Sequence, residues 1–284
     1  MCRCRPIHPV FSSASSAFSA LKNAVALHVA RSGEDATARE LWLVRLGRMG
    51  YADALELQRS VARDRIAGTI EQDVLLVVEH DPVITLGRSS KAINLVAARD
   101  VLAQRGIELF DVERGGDATF HGPGQLVGYP IVDLKRHRLD LHWFLRQVEE
   151  ALIRTLASYS VPAERRTGYT GVWTRGRKIA SIGLHARDWV TWHGFALNVT
   201  TDLSGFDLIV PCGIDGVTMT SIEREQTESG TFQRLETVDD VASRAGHCFA
   251  EVLGLTAVDN VDPDSLSSQR RELMTAVEKN SVAG

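Results

Sequence analysis

Cys212 stands between Pro211 and Gly213 in the run Ile209-Val210-Pro211-Cys212-Gly213-Ile214. A cysteine attacks through its thiolate, so it needs access to substrate and a neighbour that favours the charged form. A proline and a glycine on either side give a fixed bend with little steric cover, which suits that role. A buried core cysteine is the competing reading. A histidine base for the thiol would be His121 or His193. Lys178 lies beside Arg175 and Arg177, where a lysine is by default a solvated surface charge. Yet it opens the apolar run Lys178 to Leu184, a placement compatible with the wall of a pocket. No Ser-His-Asp order and no regular Cys/His pairing competes for the chemistry.

The second stretch able to do chemistry runs from Arg114 to Asp133, RGGDATFHGPGQLVGYPIVD. Its glycines, Gly115, Gly116, Gly122, Gly124 and Gly128, act through the backbone: they tolerate positive φ and admit a ligand close to the main chain. Pro123 argues for a fixed bend. Arg114, Thr119 and His121 supply polar groups there. A tight turn cluster of purely structural importance is the alternative. The stretch is not a Walker A loop, since no Gly-Lys-Ser/Thr follows, and not a dinucleotide fingerprint.

The elements that must position these residues are legible in outline. Trp42 to Leu46 reads as a strand, Tyr51 to Ile66 as a helix, and Val74 to Val78 and Val83 to Leu86 as strands on either side of a turn headed by His80. Leu95 to Gln104 reads as a weaker helix. Ile107 to Val112 should be the strand that delivers Arg114 to the glycine loop, and Leu126 to Leu134 the strand that leaves it. Lys135 to Arg138 is a solvated basic turn. Leu141 to Ser158 is the clearest helix, with Leu141, Phe144, Leu145, Val148, Ala151, Leu152 and Leu156 on one core-facing stripe. Tyr169 to Trp173, Lys178 to Leu184 and Trp192 to Val199 are short strand-like runs, two of which resemble a hairpin with a basic tip. No strong signal marks residues 229 to 234. Val238 to Leu253 reads as a helix stopped by Gly254, with Cys248 buried inside it. A polar helix around Glu272 to Glu278 is expected in the tail. Strands at several separations with few helices favour an α+β domain with a mixed or antiparallel sheet over a doubly wound nucleotide fold.

A chain of 284 residues with 44% apolar and 24% charged residues can bury a sizeable core. The net charge of -4 gives no support to general nucleic-acid binding, and no apolar run is long enough to span a bilayer. Cys2, Cys4, Cys212 and Cys248 form no disulfide framework, and a reducing compartment fits. Residues 1–38 read as an N-terminal extension, basic and Ser/Ala-rich before Glu34, either a dispensable tail or a transit peptide. Residues 39–258 read as the catalytic domain and 259–284 as a polar tail.

Three spaced blocks make the sequence similar to the lipoate-protein ligase B family, the lipoyl(octanoyl) transferases. Arg114, Gly115, Gly116, Thr119, Phe120, His121, Gly122, Pro123, Gly124, Gln125, Tyr129 and Pro130 match its signature. Lys178, Ile179, Ala180, Ile182 and Gly183 match a second block, and Pro211 to Ile214, followed by Val217, Thr218, Ser221 and Glu223, a third. A weaker pattern is met by His80, Pro82, Val83, Thr85, Gly87 and Arg88. The likeness covers residues 41 to 254 and implies a single catalytic domain of mixed sheet with flanking helices, resembling biotin and lipoate protein ligases.

The resemblance also implies roles. Cys212 would carry the acyl group and Lys178 would be its acid–base partner. Arg114, Gly115, Gly116, Asp117, Ala118, Thr119, Phe120 and His121 would form one wall of the acyl site, Ser181, Ile182 and Gly183 a second, and Gly194, Phe195 and Ala196 a third. Octanoyl-acyl carrier protein would be the donor. The lysine of lipoyl domains of 2-oxoacid dehydrogenases, or of the glycine cleavage H protein, would be the acceptor. No metal or cofactor, nucleic acid or membrane is implied. The cytoplasm is the expected location, or the mitochondrion if the source is eukaryotic and residues 1–38 are a transit peptide. The rival readings are an ATP-dependent lipoate or biotin ligase and a non-catalytic module that binds carrier domains. Acyl carrier proteins are usually acidic, so a positive patch of Lys135, Arg136, Arg138, Arg165, Arg166, Arg175 and Arg177 is expected to steer the donor.

Overall fold

The computed structural model describes residues 39–213, 216–232, 234, 237–263 and 265–266, with Cys212 described by its backbone. The extension 1–38 and the helix expected around 272–278 lie outside the described residues. Described residues up to Val261 belong to one compact unit. Asp262, Pro263, Ser265 and Leu266 belong to another, where Ser265 N donates to Asp262 O at 2.8 Å.

The larger unit runs β1 (Glu40–Met49), α1 (Tyr51–Ile66), β2 (Asp73–His80), β3 (Val83–Leu86), α2 (Arg99–Gln104), β4 (Glu108–Asp111), β5 (Ala118–His121) and β6 (Gln125–Ile131). It continues with α3 (Leu141–Ala157), β7 (Val172–Thr174), β8 (Arg177–Arg187), β9 (Val190–Asn198), α4 (Ile222–Ser229), α5 (Val238–Leu253) and β10 (Thr256–Val258). Seven strands form one sheet in the order β10-β1-β2-β6-β9-β8-β7; β4-β3-β5 form a second. In the large sheet β1 is parallel to β2 and β10, and the other neighbours are antiparallel. This is the mixed-sheet α+β architecture that the strand spacing favours.

β6 and β9 are buried along their whole length, as strands covered on both faces are. Leu75, Val77, Leu126, Phe195 and Leu197 enter a core shared with Phe144, Val148 and Leu152 of α3 and Phe249 of α5. The apolar stripe of α3 is therefore core, as its periodicity requires. Thr237 and Asp240 cap α5 reciprocally, and Gly254 ends it at φ 65°. The β8–β9 hairpin turns at Asp188 and Trp189, and the β7–β8 hairpin at the basic tip Arg175-Gly176. Both central residues of each turn have positive φ, the combination whose twist suits two-residue hairpins.

Four local expectations change. The helix read over 95–104 forms only from Arg99, because Val96 N and Ala97 N donate to Leu208 O at 3.0 and 3.1 Å. The glycine-rich stretch is not one loop before a strand: it contains β5 in the small sheet and β6 in the large one. The strand read to Leu134 ends at Ile131, and Asp133 caps a 3₁₀ turn over Leu134–Arg136. In the basic turn Lys135 and Arg138 are exposed. The His137 side chain is instead tucked in, with Nε2 2.6 Å from Asp73 Oδ2. The polar helix α4, capped by Ser221 and ended at Gly230, follows no apolar stripe and is absent from the sequence reading.

Candidate active site

A narrow cavity of about 40 Å³ opens where β5, β6, β8, β9 and the start of α1 converge. Strand alternation sorts the glycine-rich segment into two faces. Thr119 and His121 line the cavity, while Ala118 and Phe120 face a satellite core in which Phe120 meets Phe206 edge-on at 5.6 Å. Gly115 contributes its backbone, donating to Leu184 O at 2.9 Å and so tying the loop to β8. Two glycines set the width. A Cβ on Gly183 would stand 2.6 Å from Gly115 O, and one on Gly194 would stand 2.1 Å from Gly128 O. Arg114, Gly116, Asp117, Ser181, Ile182, Gly183, Gly194, Phe195 and Ala196 complete the expected walls.

Tyr51, Val127, Tyr129 and His193 also line the cavity and are not among the residues singled out as walls in the sequence. Tyr129 lies within the matched signature and His193 directly precedes Gly194, so both had a signal. Tyr51 had none beyond its place at the head of an apolar helix.

The buried histidines and tyrosines here are held toward their neutral forms. His121 Nδ1 lies 2.8 Å from Gln125 Oε1, and Gln125 Nε2 donates to Phe120 O and Asn198 Oδ1. That amide orientation makes Nδ1 the donor and leaves Nε2 as acceptor, 3.5 Å from Thr85 Oγ1. Burial, followed by the neighbouring His80, lowers the His121 pKa to about 3. His80 pairs Nδ1 with Met49 O at 2.8 Å and Nε2 with the Tyr129 hydroxyl at 2.7 Å, and burial lowers its pKa too. Burial raises the Tyr51 phenol to about 12 and pushes Tyr129 well above its usual value. His193 has φ 55° and donates its backbone N–H to Gln58 Oε1 at 3.0 Å. Burial lowers its pKa against the pull of Glu113, whose Oε2 is 3.6 Å from Nε2, beyond hydrogen-bond length.

Arg114 is the buried cation of this site. It donates to Thr85 O at 2.6 Å, Thr85 Oγ1 at 2.8 Å and Gly115 O at 3.1 Å, all neutral oxygens. Its fork is thereby fixed beside the cavity.

Lys178 is 1% exposed, so it is not the solvated charge that its basic neighbours suggest. Its stem lies against Gly171, where a Cβ would stand 2.7 Å from Lys178 Cε, and Nζ sits 5.7 Å from the Trp173 ring centre. It is not among the residues lining the cavity. Its backbone pairs with the segment after Cys212: Lys178 N donates to Thr218 O and Thr220 N to Lys178 O, each at 2.9 Å.

The Cys212 side chain lies outside the described part of the structure. Its backbone belongs to the 3₁₀ turn Pro211–Gly213, where Gly213 N donates to Val210 O at 3.0 Å. A Cβ on Gly213 would stand 2.6 Å from Asp117 Oδ2. The cysteine turn therefore abuts a residue of the cavity wall.

The surface cations expected to steer a donor are largely engaged. Arg177 pairs with Glu225 and Glu228, Arg165 with Glu149 and Glu150, and Arg175 with Glu225. Arg138 pairs with Asp140 and Lys135 with Asp133. Arg136 donates to Glu71 O, and Arg166 stacks on Tyr169 and Trp173.

Residues 50–244 match the model of the lipoyl protein ligase A/B catalytic domain. The chain is 47% identical over 236 residues to an octanoyltransferase of Acidobacterium capsulatum, an alignment covering 78% of this chain and 96% of that one. It is 54% identical over 177 residues to an octanoyltransferase of Rubrobacter xylanophilus, covering 62% and 79%. Its fold is similar to that of a lipoate-protein ligase A bound with ATP, with TM-score 0.61, 19% identity and 84% and 94% of the two chains covered. It is also similar to a bipartite lipoate protein ligase from Thermoplasma acidophilum, with TM-score 0.55, 20% identity and coverage of 84% and 92%. The chain belongs to the lipoyl protein ligase A/B catalytic-domain family.

Proposed function

We infer that this protein is an octanoyltransferase of protein lipoylation that works by ping-pong covalent catalysis. The observation that carries this reading is a glycine-narrowed cavity, lined in part by neutral imidazole and phenol groups, with the Cys212 turn against its wall at Asp117. Such a cavity suits an unbranched acyl chain, each buried methylene contributing about 0.8 kcal/mol. It suits a nucleoside triphosphate poorly: Arg114 shares the lining with the carboxylate side chain of Asp117, and the histidines there are held neutral. The relatives named octanoyltransferase support the same class.

In the first half-reaction the Cys212 thiolate attacks the thioester carbonyl of an octanoyl-acyl carrier protein. The phosphopantetheine thiolate leaves and takes up a proton. In the second half-reaction the neutral amine of a lipoyl-domain or H-protein lysine attacks the new thioester, the Cys212 thiolate leaves, and the amine loses a proton. Lys178 is the proton carrier in both halves, exchanging between ammonium and amine. The Arg114 guanidinium and the backbone N–H groups of the glycine loop offer positive charge to the transient oxyanion. The cytoplasm, where both partners would be met, is the proposed location.

The test supplies a lipoyl domain with either octanoyl-loaded carrier protein or free octanoate plus ATP. Amide should form with the first alone, and Lys178→Arg should lower turnover by roughly 10²-fold, because arginine cannot release its proton. Amide formation from octanoate and ATP without a thioester donor would point to a ligase instead.

A further inference from the structure

The segment from Arg88 to Arg99 is bonded to the walls of this site without belonging to its lining. It is stitched to the glycine loop on one side: Arg88 N donates to Arg114 O and Ser89 N to Gly116 O, both at 3.0 Å. Asn94 Nδ2 donates to Asp117 Oδ2 at 2.5 Å. On the other side it is stitched to the segment that leads into the cysteine turn. Val210 N donates to Asn94 O at 2.8 Å, and a Cβ on Gly213 would stand 3.1 Å from Asn94 Nδ2. Along this segment Ile93 is 81% exposed and Val96 61% exposed, the two highest values among the exposed large apolar side chains of the described residues. Arg88, Lys91 and Arg99 are exposed beside them, and none of the three forms an ion pair among the described residues. That contrasts with the compensated arginines on β8 and α3. Two bare aliphatic side chains rimmed by three uncompensated cations are the composition of a contact surface: apolar anchors with a charged rim.

We propose that this lip is where the acceptor domain docks, presenting its unmodified lysine from a face that is acidic around that residue. The assignment rests on the transferase reading above. Reach favours the acceptor over the donor. A lysine side chain extends about 6 Å from Cα to Nζ, so the domain that carries it must press against whatever surrounds Cys212. Asn94 Nδ2 would stand 3.1 Å from a Cβ on Gly213, next in sequence to the cysteine, and Ile93 adjoins Asn94 in the chain. A phosphopantetheine arm is several times longer, and its carrier can dock farther from the mouth. Charge complementarity then sets the encounter rate and the orientation, while Ile93 and Val96 supply the desolvated contact.

The test separates the half-reactions. Acyl-enzyme is made with octanoyl-loaded carrier protein, freed of carrier, and titrated with a lipoyl domain. Arg88→Glu/Lys91→Glu should raise the KM for the domain by about tenfold or more and flatten its salt dependence. Acyl-enzyme formation should stay within about twofold of wild type, since that step does not use the lip. Ile93→Ser, which removes the apolar contact without adding charge, should raise the same KM without altering the salt dependence. An unchanged domain KM in both variants overturns the proposal, as does an equal slowing of acyl-enzyme formation. Wild-type protein that makes amide without forming acyl-enzyme contradicts the covalent reading. The domain KM, measured in the overall reaction, then still decides whether the lip docks the acceptor.

Discussion

Asp73 and His80 bound the same strand, β2, about 23 Å apart at ~3.3 Å per residue, and the two ends of that strand bury polarity in opposite ways. At Asp73 burial is balanced by opposite charge. The carboxylate accepts from Arg65 at 3.0 Å, from His137 Nε2 at 2.6 Å and from Asp133 N at 3.0 Å. Burial pushes the carboxyl up, but the His137 hydrogen bond, the Arg65 charge and the Asp133 N–H together hold it below its usual value. At His80 burial is balanced by neutrality. His80, His121, Tyr51 and Tyr129 pack ring to ring, with both imidazoles pushed toward the uncharged form. A closed ion cluster has no capacity left for a ligand, whereas a neutral aromatic box beside a glycine-walled cavity can accept an acyl chain. One end is a closed ion cluster, and the other is where the proposed function puts the chemistry.

The sharpest way to break this division is Asp73→Ala. It leaves the Arg65 guanidinium buried without its nearest carboxylate, a loss of about 3–5 kcal/mol. Urea unfolding should show it, while the transfer rate per folded molecule stays unchanged. A loss of transfer rate at full stability would show that the Asp73 end takes part in the chemistry.

Acid separates the two ends by pH window. His121 has a folded pKa of about 3 against about 6.5 unfolded. Its contribution to stability is therefore complete above pH 6.5 and is lost as pH falls toward 3. From pH 6.5 to 5 the loss is about 2 kcal/mol for this histidine alone, with His80 and His193 acting in the same direction. Asp73 is depressed from the carboxylate range, so its contribution is lost only in more acid solution, below about pH 4. Stability measured against pH should fall between 6.5 and 5 in wild type and fall less steeply in His121→Asn. Equal slopes would mean that His121 is not buried in its neutral form.

Tyr129→Phe removes the hydroxyl that His80 Nε2 faces at 2.7 Å. It should cost about 1 kcal/mol, the usual worth of such a hydrogen bond. Calorimetry checks it, and a cost of 3 kcal/mol or more, the order of a buried ion pair, would erase the distinction between the ends.

Regular elements with strong periodicity were legible from the chain. The helices α1, α3 and α5 announce themselves by apolar spacing, and α5 also by its terminal glycine. The polar helix α4 carries no such stripe and is held by Ser221, Gly230 and side-chain pairs that only the fold brings together. β5 was hidden because glycines on both sides of Ala118–His121 read as loop, although its partner β3 supplies the pairing. The same limit applies to the site. The resemblance named the glycine segment, β8 and β9 as walls, but Tyr51 reaches His121 across seventy residues of sequence, and no local pattern encodes that contact. Lys178 shows the reverse case. Its neighbours Arg175 and Arg177 suggested solvent, and only the packing of Gly171 and Trp173 against it shows burial.

The central claim is that the acyl group travels through Cys212. It is tested most directly by mixing the protein with octanoyl-loaded carrier protein in the absence of acceptor, weighing the intact protein and mapping its peptides. The account predicts a gain of one octanoyl group on the peptide that contains Cys212, its loss on adding a lipoyl domain, and no gain in Cys212→Ala. An unmodified protein that still transfers octanoyl to the domain, or an adduct on Cys248 or on a serine, would contradict it.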